Sequence, residues 1–395
     1  MREIIIYQFK NGGLCLAKSE NIFTILDEMR KAGTPEDILA RKVISLIQSR
    51  ARETDTPFSG HFELTPLCNL NCKMCYVHLS NEQLEEKKLL PANEWIGLIQ
   101  QAIDNGMIRA TLSGGECLTY PEFDAVYQYL QSKGITTSIL TNGVLLDRKR
   151  ISFFQKYRPR KIQISLYGSS EDTYENVTGK RLYSTIINNI IEARDAGLPI
   201  KISITPSKYM LANIKDLLRL VKDINVPYAI NMGLMTPRVG TQRDSIEHDI
   251  SIDDYVEIIK FNRKLNDREV ESRGDISYPD VTGRNTVNKG LKCGAGRSTF
   301  AINWLGIMNP CTQMDSIVSH PLHEGFKNAW KSVNTEVKSF PRFKDCESCK
   351  YTNICYYCAA ENEKLGSRYI LNKKWCEKTV KMVSYGLRVP DPQCD

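Results

Sequence analysis

From about residue 60 the chain repeats one pattern, and that repeat constrains its fold more than any other feature: a short strand-like run, a turn, then a helix-like run. The strand candidates are "HFELT" (61–65), "RATLSGG" (109–115), "ITTSILTNG" (135–143), "KIQISLYG" (161–168), "KISIT" (201–205) and "YAINMG" (228–233). Of the helical stretches between them, "PANEWIGLIQQAIDNG" is the clearest. Pro91 suits a first turn, Trp95, Leu98, Ile99 and Ile103 share one face, and Gly106 suits the stop. Others are expected near 121–133, 147–157, 183–197 and 210–223. Strands alternating with helices imply a parallel sheet. By length, a six-unit partial barrel fits, with a doubly wound open sheet as the alternative.

Strands buried on both faces usually read as unbroken apolar runs. Here several alternate: Glu63 and Thr65 against Phe62 and Leu64, and Thr111 and Ser113 against Ala110 and Leu112. Gln163 and Ser165 alternate with Ile162 and Ile164, and Lys201, Ser203 and Thr205 with Ile202 and Ile204. The apolar set can pack on the helices while the polar set faces inward. A closed eight-strand barrel fills its interior with branched apolar side chains. A polar interior therefore points to an open lumen that holds a polar ligand.

At 395 residues the chain is long enough for one large α/β domain and a smaller one. Residues 1–57 read as an N-terminal helical extension, two helices around "GTPED", with a small leader-binding module as the alternative. The barrel is expected over 58–270 and a cysteine-rich domain over 271–395, joined by a long polar loop at 271–290. No window offers about 18 uninterrupted apolar residues, so no membrane partner is expected. The start lacks the basic, apolar and small-residue regions of a signal peptide, and a cytoplasmic protein is expected. In that compartment the 13 cysteines argue for metal ligation over disulfides. The formal charge of +7 counts them as neutral; ten thiolates and three clusters of about +2 each bring it to about +3. With no basic run either, a nucleic-acid partner is not expected.

Residues 68–79, "CNLNCKMCYVHL", place Cys68, Cys72 and Cys75 together. Three thiolates can hold three irons of a cubic [4Fe–4S] cluster and leave the fourth open. A zinc site completed by His61 or His78 is the competing reading of the spacing alone. With "SGGE" ending the second strand, the stretch from 60 to about 235 resembles the radical S-adenosylmethionine (SAM) superfamily, whose CX3CX2C signature is matched by these cysteines. The resemblance implies a partial (β/α)6 TIM-like barrel. It also implies that the open iron binds SAM and that one electron cleaves SAM to methionine and a 5′-deoxyadenosyl radical. Ser113, Gly114, Gly115 and Glu116 match the family's SAM-amine motif. Asn142 in "TNG", Ser165 in "ISLYG", Ser203 on the fifth strand and Met74 over the adenine edge are the further implied contacts. The five histidines, and Cys15, Cys117 and Cys394, receive no such role.

Seven more cysteines lie between 293 and 376. Cys293, Gly306 and Cys311, then Cys346, Cys349, Cys355 and Cys358, then Cys376, resemble the SPASM extension, although the gap before Cys358 is two residues where that pattern has three. Two CX2C-like pairs taken alone also suit a zinc ribbon. The resemblance implies two auxiliary [4Fe–4S] clusters, three in all. Cys346, Cys349, Cys355 and Cys376 would close one, and Cys293, Cys311 and Cys358 would hold the other with one iron open.

SPASM proteins mostly modify peptides or proteins, so the resemblance implies a precursor peptide as partner and an electron donor such as flavodoxin or ferredoxin. In sulfatase-maturing members an Asp follows the second SPASM cysteine; here "PCTQMD" puts Thr312 there and Asp315 three further on. The expected reaction is thioether or other side-chain crosslink formation on a ribosomally made peptide. The alternatives are a radical dehydrogenase of a small alcohol or sugar and a sulfatase-maturase-like protein oxidase.

Overall fold

The structure is a computed structural model that describes residues 5–8, 14–17, 36–79, 89–238, 246–266, 291, 293–341, 343–355 and 357–387. It opens with an antiparallel hairpin, β1 (Ile5–Gln8) and β2 (Leu14–Ala17), followed by helix α1 (Glu36–Glu53). The second of the two expected N-terminal helices is therefore present. The hairpin was not expected, and the first helix falls outside the described residues.

All six alternating runs become strands: β3 (Ser59–Glu63), β4 (Arg109–Ser113), β5 (Thr136–Thr141), β6 (Lys161–Ser165), β7 (Ile200–Ile204) and β8 (Tyr228–Ile230). They lie side by side in chain order, and every neighbouring pair is parallel. That order is the one a partial barrel needs; a doubly wound sheet would reverse it at a switch point. Between the strands run α2 (Ala92–Asp104), α3 (Phe123–Ser132), α4 (Arg148–Lys156), α5 (Glu171–Thr178), α6 (Tyr183–Asp195) and α7 (Ile214–Ile224). Helix α5 was not expected. Its N-terminus is a capping box in which Ser170 and Thr173 bond each other's backbone N–H groups. Residues 208–213 form a 3-10 turn, so α7 begins later than its periodicity suggests.

The apolar halves of the strands do what their alternation predicts. Leu112, Ile139, Ile162, Ile164, Ile202 and Ile204 are fully buried with Trp95, Tyr127 and Phe154 of the helices. Each such side chain contributes about 1.5–3 kcal/mol by leaving water. The polar halves share the opposite face, where the register sets His61 beside Thr111, Glu63 beside Ser113, Gln163 beside Lys201, and Ser165 beside Ser203.

The sheet also extends beyond the expected six strands. After α8 (Ile252–Leu265), strand β9 (Thr299–Ile302) pairs in parallel with β3, and β10 (Met308–Asn309) pairs antiparallel with β9. Gly60 makes this possible. A Cβ there would sit 2.6 Å from the Phe300 ring, so only glycine lets β9 close on β3. Helices α9 (Phe326–Lys338), α10 (Ala359–Lys364) and α11 (Lys374–Ser384) follow. The turn after α1 is fastened to this C-terminal part. Asp55 accepts from Arg297 Nε at 3.1 Å and pairs with Lys338, and its carbonyl accepts from Trp330 Nε1 at 2.8 Å. Among the described residues no helix is long and apolar enough to cross a membrane. The expected 271–290 loop lies outside the described residues.

Candidate active site

The chain leaves β3 directly into the cysteine-bearing loop, and the glycine pair of "SGGE" holds that loop in place. Leu64 N donates to Ser113 O at 2.9 Å, Gly115 N to Thr65 O at 2.7 Å, and Glu116 N to Leu67 O at 2.7 Å. A Cβ on Gly114 would lie 2.3 Å from Thr65 O, and one on Gly115 would lie 2.4 Å from Leu67 O. Gly114 also has φ +152°. No side chain fits at either position. The far end of the loop rests on α5: Asn71 N and Lys73 N donate to Thr178 O and Val177 O, and Lys73 Nζ donates to Asn176.

Within this frame the three thiols meet a shared set of partners. Cys68 Sγ accepts from Leu70 N at 3.5 Å and Asn142 Nδ2 at 3.7 Å, and Asn142 Nδ2 also donates to Asn69 at 2.6 Å. Cys75 N donates to Cys72 O at 3.2 Å. Burial, and then the thiols of Cys72, Cys75 and Cys68, hold the Tyr167 hydroxyl protonated, while Ser165 hydrogen-bonds it. Burial also pushes Cys68 up to about 11, with Glu116 and Cys75 adding to the rise against its two hydrogen bonds. A bound cation reverses that preference, because a coordinating thiol is deprotonated outright. Met74 is buried at 5% exposure in the main core. Ser203 accepts from Asn231 at 2.9 Å on the inner face of β7.

Glu116 is the hub beneath these groups. It is 1% exposed and accepts from Leu118 N at 3.1 Å, Thr141 Oγ1 at 2.8 Å and Asn142 N at 2.6 Å. Burial raises its pKa while those three donors oppose the rise. Thr141 and Leu118 were not expected in the site. Because Glu116 positions Asn142, Glu116→Ala is expected to weaken SAM binding at least tenfold, about 1.4 kcal/mol. Iron content should stay near wild type. Equilibrium dialysis against an iron assay checks this, and equal losses of both would make Glu116 a purely structural residue.

The later cysteines fall into two neighbourhoods. Burial pushes Cys311 up to about 12 and Cys358 up to about 11, and in each case Cys293 adds to the rise. Burial likewise raises Cys376, helped by Cys355 and Cys349, and Thr379 Oγ1 donates to Cys355 Sγ at 3.6 Å. Tyr357 is coupled to Cys358, Cys346 and Cys293, so Cys346 lies within electrostatic reach of the same tyrosine as Cys358 and Cys293. Cys293, Cys311 and Cys358 thus couple to one another, and Cys349 and Cys355 couple to Cys376. Cys358 is the N-cap residue of α10. Cys117 is fully buried and donates to Leu140 O at 3.2 Å. The side chain of Cys15, and all of Cys394, lie outside the described residues.

The donor chemistry fits iron–sulfur clusters. Among the described residues no three Cys, His, Asp or Glu side chains converge as ligands to one ion. A cube takes each thiolate on a different iron, so its ligands stay spread. Arg52 Nε, Lys364 Nζ and Trp375 Nε1 are buried donors without a hydrogen-bond partner among the described residues. Of these, Arg52 is coupled to Cys293 and Lys364 to Cys311, where cluster sulfur would accept from them.

Next to Tyr76, the residue after Cys75, lies a buried ion pair that no sequence signal marked. Arg238 Nη1 donates to both carboxylate oxygens of Glu63 at 2.7 and 2.8 Å, with side chains 9% and 3% exposed. Its backbone N–H donates to Tyr76 O at 2.9 Å, and its guanidinium lies 5.6 Å from the Trp304 ring. Burial, then Glu63, raises the Tyr76 hydroxyl, and Cys75 and Cys311 add to the rise.

Residues 62–221 match the model described as the Radical SAM superfamily. The chain is 21% identical over 325 residues to the antilisterial bacteriocin subtilosin biosynthesis protein AlbA of Bacillus subtilis, covering 80% of this chain and 70% of that one. It is 23% identical over 349 residues to the AdoMet-dependent heme synthase of Methanosarcina barkeri, covering 82% and 97%. In fold it is similar to Streptococcus suis SuiB bound to precursor peptide SuiA, with TM-score 0.63, 16% identity, and 89% and 88% of the two chains covered.

Proposed function

We propose that the chain is a radical SAM enzyme and that it modifies a ribosomally made precursor peptide by forming a thioether from a peptide cysteine. Cys68, Cys72 and Cys75 hold the SAM-binding [4Fe–4S] cluster in this reading. Cys346, Cys349, Cys355 and Cys376 hold a closed auxiliary cluster, and Cys293, Cys311 and Cys358 hold one with an open iron. With SAM bound, the first cluster supplies the electron that yields methionine and a 5′-deoxyadenosyl radical. Glu116 fixes Asn142 beside Cys68, and Ser113, Gly114, Gly115, Ser165 and Ser203 line the SAM site from successive strand ends. The polar inner face of β3, β6 and β7 orients the substrate by hydrogen bonds, and the Glu63–Arg238 pair closes the space beside Tyr76 to water. Flavodoxin or ferredoxin is the reading's electron donor, and the cytoplasm its compartment.

What supports this reading is the coupling of Cys293, Cys311 and Cys358 to one another, with Tyr76 coupled both to Cys75 and to Cys311. Three thiolates leave a ligand position that a substrate thiolate suits, and a thiolate held beside a carbon radical gains from proximity. A relative named for bacteriocin biosynthesis and a fold neighbour bound to a precursor peptide support a peptide substrate.

A cysteine-bearing precursor peptide encoded beside the gene is expected to give a product lighter by two hydrogens. Changing its acceptor cysteine to serine should abolish the crosslink while SAM cleavage continues. Mass spectrometry of both peptides checks this. An unchanged crosslink with the serine peptide would exclude a thioether.

A further inference from the structure

We propose that Arg52 and Lys364 are the counter-charges of the auxiliary site formed by Cys293, Cys311 and Cys358, and that together they hold its reduction potential up. This rests on the reading that those thiols carry a cluster.

Arg52 belongs to the last turn of α1, outside both the barrel and the cysteine-rich segment. Its Nε is buried without a hydrogen-bond partner among the described residues. Its Nη2 lies 3.8 Å from where a Cβ would stand on Gly294, the residue after Cys293. Its backbone is fastened to the same C-terminal segment. Arg297 Nη2 donates to Arg52 O at 2.8 Å, and Arg297 is itself fixed by Asp55.

Lys364 approaches from the opposite segment. It ends α10, the helix that Cys358 N-caps, and its Nζ is likewise buried without a hydrogen-bond partner. Two carboxylates face it. Asp315, four residues beyond Cys311, stands at 3.7 Å, too far for a hydrogen bond, and Glu361 is engaged by Thr236 N at 3.0 and 3.2 Å. The charge of Arg52 couples to Cys293 and that of Lys364 to Cys311.

Burying a cation costs several kcal/mol unless an anion compensates it. For Arg52 the anion at hand is the thiolate group with its cluster sulfide, and Lys364 shares that group with Asp315 at 3.7 Å. Positive charge and donated hydrogen bonds at the sulfurs favour the reduced cluster. The proposed reaction needs that preference. When a thiolate bonds to a carbon radical, one electron is left over; the thiol proton has gone to solvent and the abstracted hydrogen atom to the deoxyadenosyl radical. The electron must pass to an oxidised cluster, and a raised potential makes this site its acceptor.

The test is an anaerobic redox titration of the reconstituted full chain, followed by electron paramagnetic resonance. The signal is assigned as the one lost in Cys311→Ala. In Arg52→Gln and in Lys364→Met its reduced-to-oxidised ratio, read at the wild-type midpoint, should fall about tenfold, which is 59 mV for one electron. Arg52→Lys should restore most of it, and the other signals should not move. An unmoved midpoint at full iron content would overturn the proposal. So would Arg52→Lys falling as far as Arg52→Gln, or iron loss in the variants, since either makes the residues structural. Were wild-type protein to show no signal that depends on Cys311, the cluster reading itself would fail, and iron content tells the two failures apart.

Discussion

The triple variant Cys68→Ala, Cys72→Ala, Cys75→Ala is expected to keep about eight of about twelve irons per chain and to make no 5′-deoxyadenosine. The loop should keep its shape, because it is fastened through backbone groups that alanine also has. Asn71 N and Lys73 N bond the end of α5, and Gly115 N and Glu116 N bond Thr65 O and Leu67 O. The other cysteine groups sit on segments beyond residue 290 and keep their ligands. SAM cleavage, by contrast, has no other route for its electron. Iron and sulfide assays with chromatography of the nucleoside products check both halves. Loss of nearly all iron would show that the first cluster is needed for the chain to fold, as metal binding can be. Unchanged iron would remove Cys68, Cys72 and Cys75 as ligands.

Arg238→Met should be the most destabilising single substitution outside the cysteine groups, costing about 3–5 kcal/mol. The loss arises because Glu63, 3% exposed at its side chain, is left buried without its bidentate partner. The double variant Glu63→Gln, Arg238→Met removes both charges and should recover more than half of that loss. Urea midpoints of the anaerobic holoprotein, compared at equal iron content, test the pair. If the double variant were as unstable as the single one, the damage would lie in the Trp304 and Tyr76 contacts of Arg238 rather than in its charge.

What the sequence revealed, and what it hid, follows from the range of each interaction. The six strands were visible because their cause is local: Ile162 and Ile164 must be buried while Gln163 and Ser165 need polar company, and period-two alternation records that. The cysteine spacings were legible because they too are local in sequence. Strand β9 was not, because its reason lies 240 residues away in chain order, in the missing side chain of Gly60 that admits Phe300. Arg238 was hidden for the same reason; nothing near it in sequence distinguishes it from a solvated arginine. Glu116 was found by motif, but its three donors come from positions 118, 141 and 142 and only the fold brings them together. Helix α5 was passed over because "EDTYENVT" has few apolar residues, and its start rests on a two-residue capping box.

The parallel pairing of β3 with β9 bears on how the chain is made. Residues 59–62 wait for 299–302, so while the ribosome synthesises the intervening stretch, one edge of the growing sheet exposes unpaired N–H and C=O groups. Such an edge is a template for pairing with another chain, and contacts this distant form slowly. A nascent chain halted before residue 299 should therefore aggregate or recruit chaperones, whereas one halted just past 309 can close its sheet with β10 in place. Codon choice or pausing between these two points would change the yield of native protein without altering a single residue of the active site.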